Sequence, residues 1–326
     1  MNNRLEAVAG QLWGESEGKT FHIFGHIQPD GDALGSQLAL WHALRVTGHE
    51  AIPVLIDPLP PTYQFLPGRE AFVPWQTVGA VERAIVLDCT GWDRLGPAAD
   101  LAQSATVVVN VDHHRSNNNF GHFNYVDQNA AAAGELVFRL LQAAQVPIQP
   151  ATATCLYTAI ATDTGSFRYQ NTTPGALRVA AELLDLGADL ATIIQNVYQT
   201  VSLPSLRLLG DALQTLQLFY GGRLAILTVS KQLRQESGAT EQDVEGIVNY
   251  ARSVQGCEVG ALLHEKDDGT VKVSLRSREK VDVSQLAARF GGGGHLRAAG
   301  YAVLGGMARA QAELVAEVGK YLDGHP

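Results

Sequence analysis

Four short segments of the sequence carry aspartates, two of them with histidines close by, although only 17% of the residues in the chain are charged. These segments are GHIQPDGDALGS (25–36), RAIVLD (83–88), VNVDHHRS (109–116) and TDTGSF (162–167). Carboxylate oxygens and neutral imidazole nitrogens are common ligands of divalent cations in proteins. The four segments therefore indicate metal binding.

The side chains with this chemistry are His26, Asp30, Asp32, Asp88, Asp112, His113, His114 and Asp163. Gly31 permits a tight turn between Asp30 and Asp32, so both carboxylates can point into one small volume, where they would repel each other without cations. Six or seven ligands are too many for one ion and indicate two ions that share a carboxylate, about 3.5–4 Å apart. Oxygen and imidazole ligands suit Mn²⁺, and Mg²⁺, Co²⁺ or Zn²⁺ are alternatives.

The hydrophobic pattern of the first half indicates how these segments meet. Predicted strands alternate with predicted helices, the strands at 21–26, 51–56, 83–88 and 106–112 and the helices at 33–48, 134–145, 151–163 and 174–187. This alternation is typical of a parallel sheet covered by helices, in which the carboxyl ends of the strands face one crevice. A DxD turn or a His-His pair alone is usually structural, but their coincidence on successive strand ends favours a site.

From about residue 188 the pattern changes to helices followed by strand-like runs at 223–229, 257–265 and 270–277. We therefore predict an α/β chain with a parallel-sheet catalytic domain at 1–190, a linker at 191–202 and a smaller α+β domain at 203–326. The active site is expected in the cleft between the two domains.

The segment FGGGGHLRAAG (290–300) carries a second candidate site. Glycine N–H groups can approach an anion closely, and the strand SLRSRE (274–279) would place two arginines on one face, where they could clamp a phosphate. The alternatives are a flexible glycine loop and a solvated strand face. The candidate substrate-binding residues are Ser274, Arg276, Gly292, Gly293, Gly294, His295 and Arg297.

Composition limits the partners. The formal net charge of −9 argues against a broad basic surface for long duplex nucleic acid. No apolar run approaches the roughly 20 residues that span a bilayer, and the N-terminus lacks the pattern of a secretory signal, so we expect a cytoplasmic protein that does not bind membranes. The three cysteines have no CxxC spacing and indicate neither disulfides nor a thiolate zinc site.

The motifs resemble those of the DHH phosphoesterase family, in the stand-alone bacterial type with a DHH-associated C-terminal domain that includes NrnA-like oligoribonucleases and pAp phosphatases. The resemblance covers nearly the whole chain, with five motifs in the family order. The matching motifs are HIQPDGDALGS, VLDCT, VDHH followed by Arg115 and Ser116, TDTGSFRY, and GGGGHLRAAG.

This resemblance implies a role for each candidate residue. His26, Asp30 and Asp88 would hold one Mn²⁺ ion. Asp32, Asp88, His113 and Asp163 would hold the other, so that Asp88 bridges the two. Asp112 would orient a metal ligand without binding an ion itself, and His114 would face the scissile phosphate. Arg276, His295 and the glycine run would bind the remaining phosphate or base.

The implied function is a Mn²⁺-dependent phosphoesterase that hydrolyses short RNA or DNA oligonucleotides and 3′-phosphoadenosine 5′-phosphate (pAp). The ions would activate water, so no protein nucleophile is required. An alternative is a phosphodiesterase for cyclic di-AMP or its linear product pApA, which the motifs do not separate. A metal-dependent nucleotide-binding regulator without catalysis is less favoured because the ligand set is complete. Family analogy also allows a homodimer through the N-terminal domain.

Overall fold

The structure is a computed structural model that describes residues 2–14 and 19–323, apart from the side chains of His295 and Asp323. The chain divides into two compact units, Met1–Thr200 and Val201–Pro326. Leu190–Ile194, which the sequence analysis assigned largely to a linker, form a helix in the first unit. No helix among the described residues has the length and apolar character needed to cross a membrane.

The first unit combines one sheet with helices. Its strands are β1 (Thr20–Phe24), β2 (Glu50–Leu55), β3 (Val73–Pro74), β4 (Arg83–Leu87), β5 (Val107–Asp112) and β6 (Phe123–Val126). Its α-helices are α1 (Leu5–Ala9), α2 (Gly31–Val46), α3 (Ala99–Gln103), α4 (Ala133–Ala143), α5 (Pro150–Asp163), α6 (Pro174–Asp185) and α7 (Leu190–Ile194).

All strand pairs of this sheet are parallel, and their order is β3-β2-β1-β4-β5-β6. The predicted parallel sheet with flanking helices is confirmed. Because the order reverses between β1 and β4, a crevice opens at their carboxyl ends, which is where ligands bind in open α/β sheets.

The hydrophobic pattern predicts the four longer strands to within about two residues, but it predicts no strand at β3 or β6. β3 has only two residues, one of them Pro74, and β6 is a four-residue edge strand that contains Asn124. Neither length nor composition produces a recognisable strand pattern there.

Close helix packing on one face of the sheet brings the first metal-ligand motif to the fourth. A Cβ atom added at Gly35 of α2 would lie 2.5 Å from the carbonyl oxygen of Cys155 in α5. Gly31 of α2 meets Thr162 of α5 in the same way. Since only glycine allows this approach, the start of α2 lies beside the end of α5.

The second unit is a smaller α+β domain, as predicted. Its strands are β7 (Gln217–Phe219), β8 (Leu224–Val229), β9 (Val259–Glu265), β10 (Val271–Ser277), β11 (Gly293–His295) and β12 (Ala298–Val303). Its helices are α8 (Leu203–Gln214), α9 (Lys231–Ser237), α10 (Val248–Ser253), α11 (Val283–Ala288) and α12 (Met307–Asp323). The order is β11-β12-β10-β9-β8-β7, and only β8 and β9 pair in parallel. Part of the glycine run therefore forms a strand.

We expect Gly35→Ala to lower the free energy of unfolding by about 1–3 kcal/mol, because the added methyl group would force α2 and α5 apart. Gly210→Ala is the control, since a Cβ atom at this position in α8 has open space around it. It should be neutral or stabilise by up to about 1 kcal/mol. Urea unfolding of both variants measures the difference, and equal midpoints would contradict the packing argument.

Candidate functional site

Asp88 lies directly after β4, at the reversal of strand order, and its two carboxylate oxygens face different histidines. Oδ2 is 3.5 Å from Nε2 of His26, and Oδ1 is 3.4 Å from Nε2 of His113. The backbone of Asp88 has a φ of +57°, which is uncommon for a residue other than glycine. Such strain is found where a site requires a particular side-chain direction.

The first group of candidate ligands is His26, Asp30 and Asp88. Nδ1 of His26 lies 2.7 Å from the carbonyl oxygen of Ile27, which can only accept a hydrogen bond. Nδ1 is therefore the donor, and in the neutral ring Nε2 keeps its lone pair for a metal ion. Oδ1 of Asp30 is 3.6 Å from this Nε2, and the same oxygen accepts the N–H groups of Asp32 and Ala33 at the start of α2.

The second group is Asp32, His113 and Asp163, contributed by the starts and ends of different elements. Nε2 of His113 is 3.7 Å from Oδ2 of Asp32 and 3.9 Å from Oδ2 of Asp163. On the other side of the ring, Nδ1 lies 3.3 Å from the carbonyl oxygen of Ala130, which fixes the same tautomer as in His26. Asn171 donates to Oδ2 of Asp163 at 3.0 Å.

The buried carboxylate of Asp32 is held by the start of α4. Ala133 N–H donates to Oδ2 at 2.7 Å, and Gly134 N–H donates to Oδ1 at 2.9 Å. The hydroxyl of Ser36 donates to Oδ1 at 3.2 Å. These bonds and the positive end of the helix dipole favour the ionised form of a carboxylate that is only 1% exposed. Burial and the charge of Asp88 outweigh them and raise the pKa of Asp32 above its ordinary value.

Asp112 and His114 form a pair beside these groups. Nδ1 of His114 donates to Oδ1 of Asp112 at 2.8 Å and also lies 3.5 Å from Oδ1 of Asp88. Asp112 is fully buried, whereas the side chain of His114 is 30% exposed. This is the geometry of a carboxylate that orients an accessible imidazole.

The oxygen and nitrogen atoms of these two groups are spaced as ligands of divalent cations would be. Two ligands about 2.1 Å from one ion lie roughly 3.0–3.4 Å apart, and the N···O separations of 3.4–3.9 Å are nearer to this spacing than to a hydrogen bond. Among the described residues, Oδ1 of Asp88 and Nε2 of His113 are buried without a hydrogen-bond partner. Both atoms would be satisfied by a cation.

The crowded carboxylates shift the pKa values of the histidines. Burial alone lowers the pKa of His26, but the carboxylates of Asp30 and Asp88 outweigh it and raise the pKa to about 10. Asp88 and Asp32 likewise overcome burial and raise the pKa of His113 to about 10. Burial and the charge of Asp88 raise the pKa of Asp163 to about 6. Without cations, the site therefore retains protons.

The structure thus brings together all eight candidate residues of the first unit. It also reveals supporting groups that the sequence analysis missed: Ser36, Asn117, Asn171 and the first N–H groups of α4. The two asparagines follow the third and fourth motifs within a few residues, and this proximity is the feature of the sequence that could have identified them. The backbone N–H groups at the start of α4 belong to alanine and glycine, whose side chains give no indication of such a role.

Five of the seven candidate residues of the second unit lie on β10 and β11, the two strands that flank β12, whereas Gly292 and Arg297 lie outside the strands. Ser274 and Arg276 of β10 pair with Gly300 and Ala298 of β12, which pair in turn with Gly293 and His295 of β11. Ser274 and Arg276 are both half-buried. The side chain of His295 lies outside the described residues.

The other predicted residues of this group have local roles. A Cβ atom at Gly292 would lie 2.2 Å from the carbonyl oxygen of Gly300, and one at Gly294 would lie 2.5 Å from that of Ala298. Both glycines therefore permit close strand pairing, whereas Gly293 has open space around its Cα atom. The guanidinium group of Arg297 donates to the carbonyl oxygens of Val281 and Glu279.

Two family models match the chain. The N-terminal domain of the DHH family matches residues 20–160, and the DHHA1 domain matches residues 221–323. The chain is 39% identical over 303 residues to the bifunctional oligoribonuclease and PAP phosphatase NrnA of Thermus thermophilus, covering 92% of this chain and 86% of that protein.

Solved structures have the same fold. An exopolyphosphatase-related protein from Bacteroides fragilis superposes with a TM-score of 0.89 at 26% identity, covering 98% of this chain and 96% of that one. RecJ from Thermus thermophilus in complex with Mn²⁺ has a TM-score of 0.56 at 16% identity, covering 99% of this chain and 55% of that one.

We expect the apparent affinity for Mn²⁺ to rise with pH between pH 6 and 8. A cation must displace the protons of His26 and His113, whose pKa values of about 10 keep both rings protonated in this range. Each released proton contributes up to about tenfold per pH unit. Calorimetric titration in buffers of different ionisation enthalpy measures the proton release, and binding without it would contradict this assignment of ligands.

Proposed function

The chain belongs to the DHH family and carries a DHHA1 domain, and we propose that it is a metal-dependent phosphoesterase that hydrolyses short oligonucleotides and pAp. The observation that carries this proposal is the bridging geometry of Asp88, whose two oxygens face two separate groups of ligands. The NrnA of Thermus thermophilus, which is named for both activities, supports the choice of substrates.

Two divalent cations are the proposed cofactors. His26, Asp30 and Asp88 would hold one, and Asp32, Asp88, His113 and Asp163 would hold the other. The mixture of carboxylate and imidazole donors favours Mn²⁺, with Mg²⁺ or Co²⁺ as alternatives. When bound, the ions would supply an activated water and neutralise charge on the phosphoryl oxygens.

The protein side chains orient and stabilise the reacting groups. Asp112 accepts the Nδ1 proton of His114, so the imidazole is held in one orientation beside Asp88. From this position, His114 stabilises charge on the scissile phosphate or protonates the departing oxygen. The first unit thus carries the chemistry.

The second unit is proposed to bind the part of the substrate that does not react. Ser274 and Arg276 lie on the same side of β10 and would bind a distal phosphate, together with His295 and the glycine run. Arg297 is more directly explained by its bonds to backbone carbonyls, which fix the turn before β12.

The proposal is tested with purified protein and Mn²⁺ on pAp, a diribonucleotide, pApA, cyclic di-AMP and a long RNA. We expect the highest kcat/KM for pAp or the diribonucleotide. A preference for pApA or cyclic di-AMP would favour the alternative phosphodiesterase function. Metal and nucleotide binding without turnover on any of these compounds would favour the regulator.

We expect Asp88→Ala to abolish hydrolysis of all substrates and to reduce the bound metal, because Asp88 would serve both ions. Asp100→Ala is the control, since this aspartate is exposed on α3. Turnover is measured together with metal content by elemental analysis. Retention of more than a few per cent of turnover with both ions bound would contradict the assignment.

We expect Arg276→Ala to reduce kcat/KM for pAp and dinucleotides by about 10-fold or more, because one charge-assisted hydrogen bond is worth ~1.5–3 kcal/mol. Hydrolysis of bis-p-nitrophenyl phosphate, which lacks a distal phosphate, should be unchanged. Lys272→Ala, an exposed basic residue of the same strand, is the control. Equal losses on both kinds of substrate would instead assign Arg276 to the scissile phosphate.

A further inference from the structure

The carboxylate of Asp112 is completely buried and receives three hydrogen bonds, one of them from outside its own motif. Oδ1 accepts the N–H of His113 at 2.9 Å and Nδ1–H of His114 at 2.8 Å. Oδ2 accepts from Nδ2 of Asn117 at 2.6 Å, the shortest of the three. Asn117 therefore holds the oxygen that the histidines do not.

The orientation of Asn117 is fixed by a second buried amide. Nδ2 of Asn110 in β5 donates to the carbonyl oxygens of Val86 and Cys89, each at 3.2 Å. Since both partners can only accept, Oδ1 of Asn110 must face the other way, toward Asn117. Nδ2 of Asn117 donates to it at 2.8 Å, so the Asn117 amide cannot be flipped.

The amide group of Asn117 has little freedom left. Its Nδ2 carries two hydrogens, and the two shortest contacts of this atom are to Asp112 and Asn110. Its Oδ1 accepts the N–H of Asn119 at 2.7 Å, which closes the turn after the histidines. Nδ2 of Asn117 also lies 3.0 Å from the carbonyl oxygen of Cys89. The carbonyl groups of Val86 in β4 and of Cys89 just after it thus orient the Asp112 carboxylate through two asparagines.

We infer that Asn117 is a positioning residue: its amide, oriented by Asn110, holds Asp112 so that Asp112 fixes the ring of His114. The inference deepens the proposed function and depends on it only for the role of His114 in turnover. Removal of the Asn117 amide takes away the donor to the buried Oδ2 of Asp112, so the carboxylate is held through Oδ1 alone and can turn about its Cβ–Cγ bond. His114 then loses its fixed orientation, while the candidate metal ligands keep their own contacts.

The kinetic test is a double-mutant cycle with Asn117→Ala, His114→Ala and the double variant, assayed on a diribonucleotide with Mn²⁺. We expect Asn117→Ala to lower kcat about 10-fold or more and to leave KM within about threefold, the scale seen for residues that orient a functional side chain. The double variant should be no slower than His114→Ala alone. The inference would be overturned if the losses of the two single variants multiplied in the double variant. It would also be overturned if Asn117→Ala had a wild-type kcat or changed KM alone.

Two further variants separate positioning from a merely structural role. Asn117→Asp keeps the acceptor for the N–H of Asn119 but lacks the amide donors, so we expect it to be as impaired as Asn117→Ala. Asn118→Ala, at the exposed neighbouring position, should behave as wild type. Recovery of activity in Asn117→Asp would mean that Asn117 serves only the turn.

A measurement without turnover keeps the inference distinct from the proposed function. In the metal-free protein, the Nδ1 proton of His114 should give a low-field NMR resonance, identified by its absence in His114→Gln. We expect this resonance to persist in Asn118→Ala and to shift or disappear in Asn117→Ala. If the wild type hydrolysed no nucleotide but this pattern held, the proposed function would fail and the positioning role would stand. An unchanged resonance, or a variant that does not fold, would contradict the inference.

Discussion

The crowding of buried carboxylates is the constraint on which the rest of the first unit depends. Two like charges about 4 Å apart repel by about 4 kcal/mol at an effective dielectric constant of 20, and burial adds a desolvation cost for each ion. Asp32 and Asp88 are 1% and 4% exposed, so solvent screens little of this repulsion. The groups that offset this repulsion are the imidazoles of His26 and His113, which face Asp88, and the N–H groups at the start of α4, which donate to Asp32.

These compensating groups come from separate elements because no single element could supply them. The parallel sheet brings Asp88 and the first and third motifs to one edge, since the strand order reverses between β1 and β4. The buried amide of Gln37 donates to the carbonyl oxygens of Ile23 in β1 and Val54 in β2, at 2.8 and 3.0 Å. Among the described residues, the buried side-chain atoms without a hydrogen-bond partner include Oδ1 of Asp88 and Nε2 of His113, which both lie in this crevice.

Much of this arrangement was predictable from the sequence, for reasons that differ among the residues. His26, Asp88 and His113 follow strong apolar strands, so their convergence follows from the geometry of parallel sheets. The glycine contacts between α2 and α5 were not predictable, because they depend on which helix faces lie together. The orientation of Asn117 was not predictable either, because an amide direction is set by partners that are distant in sequence.

The glycine run of the second unit shows how one pattern can combine structural and functional requirements. Gly292 and Gly294 permit backbone approaches that any Cβ atom would prevent, and Gly294 has a φ of +142° as well. Their presence is therefore explained by the pairing of β11 with β12, without reference to a ligand. Gly293, with open space around its Cα atom and φ outside the left-handed region, has neither requirement. It also lies in register with Gly300 and Ser274, two residues along the sheet from the row that contains Arg276. The proposed phosphate site is therefore supported by Gly293 and its neighbours across the sheet, and not by the number of consecutive glycines.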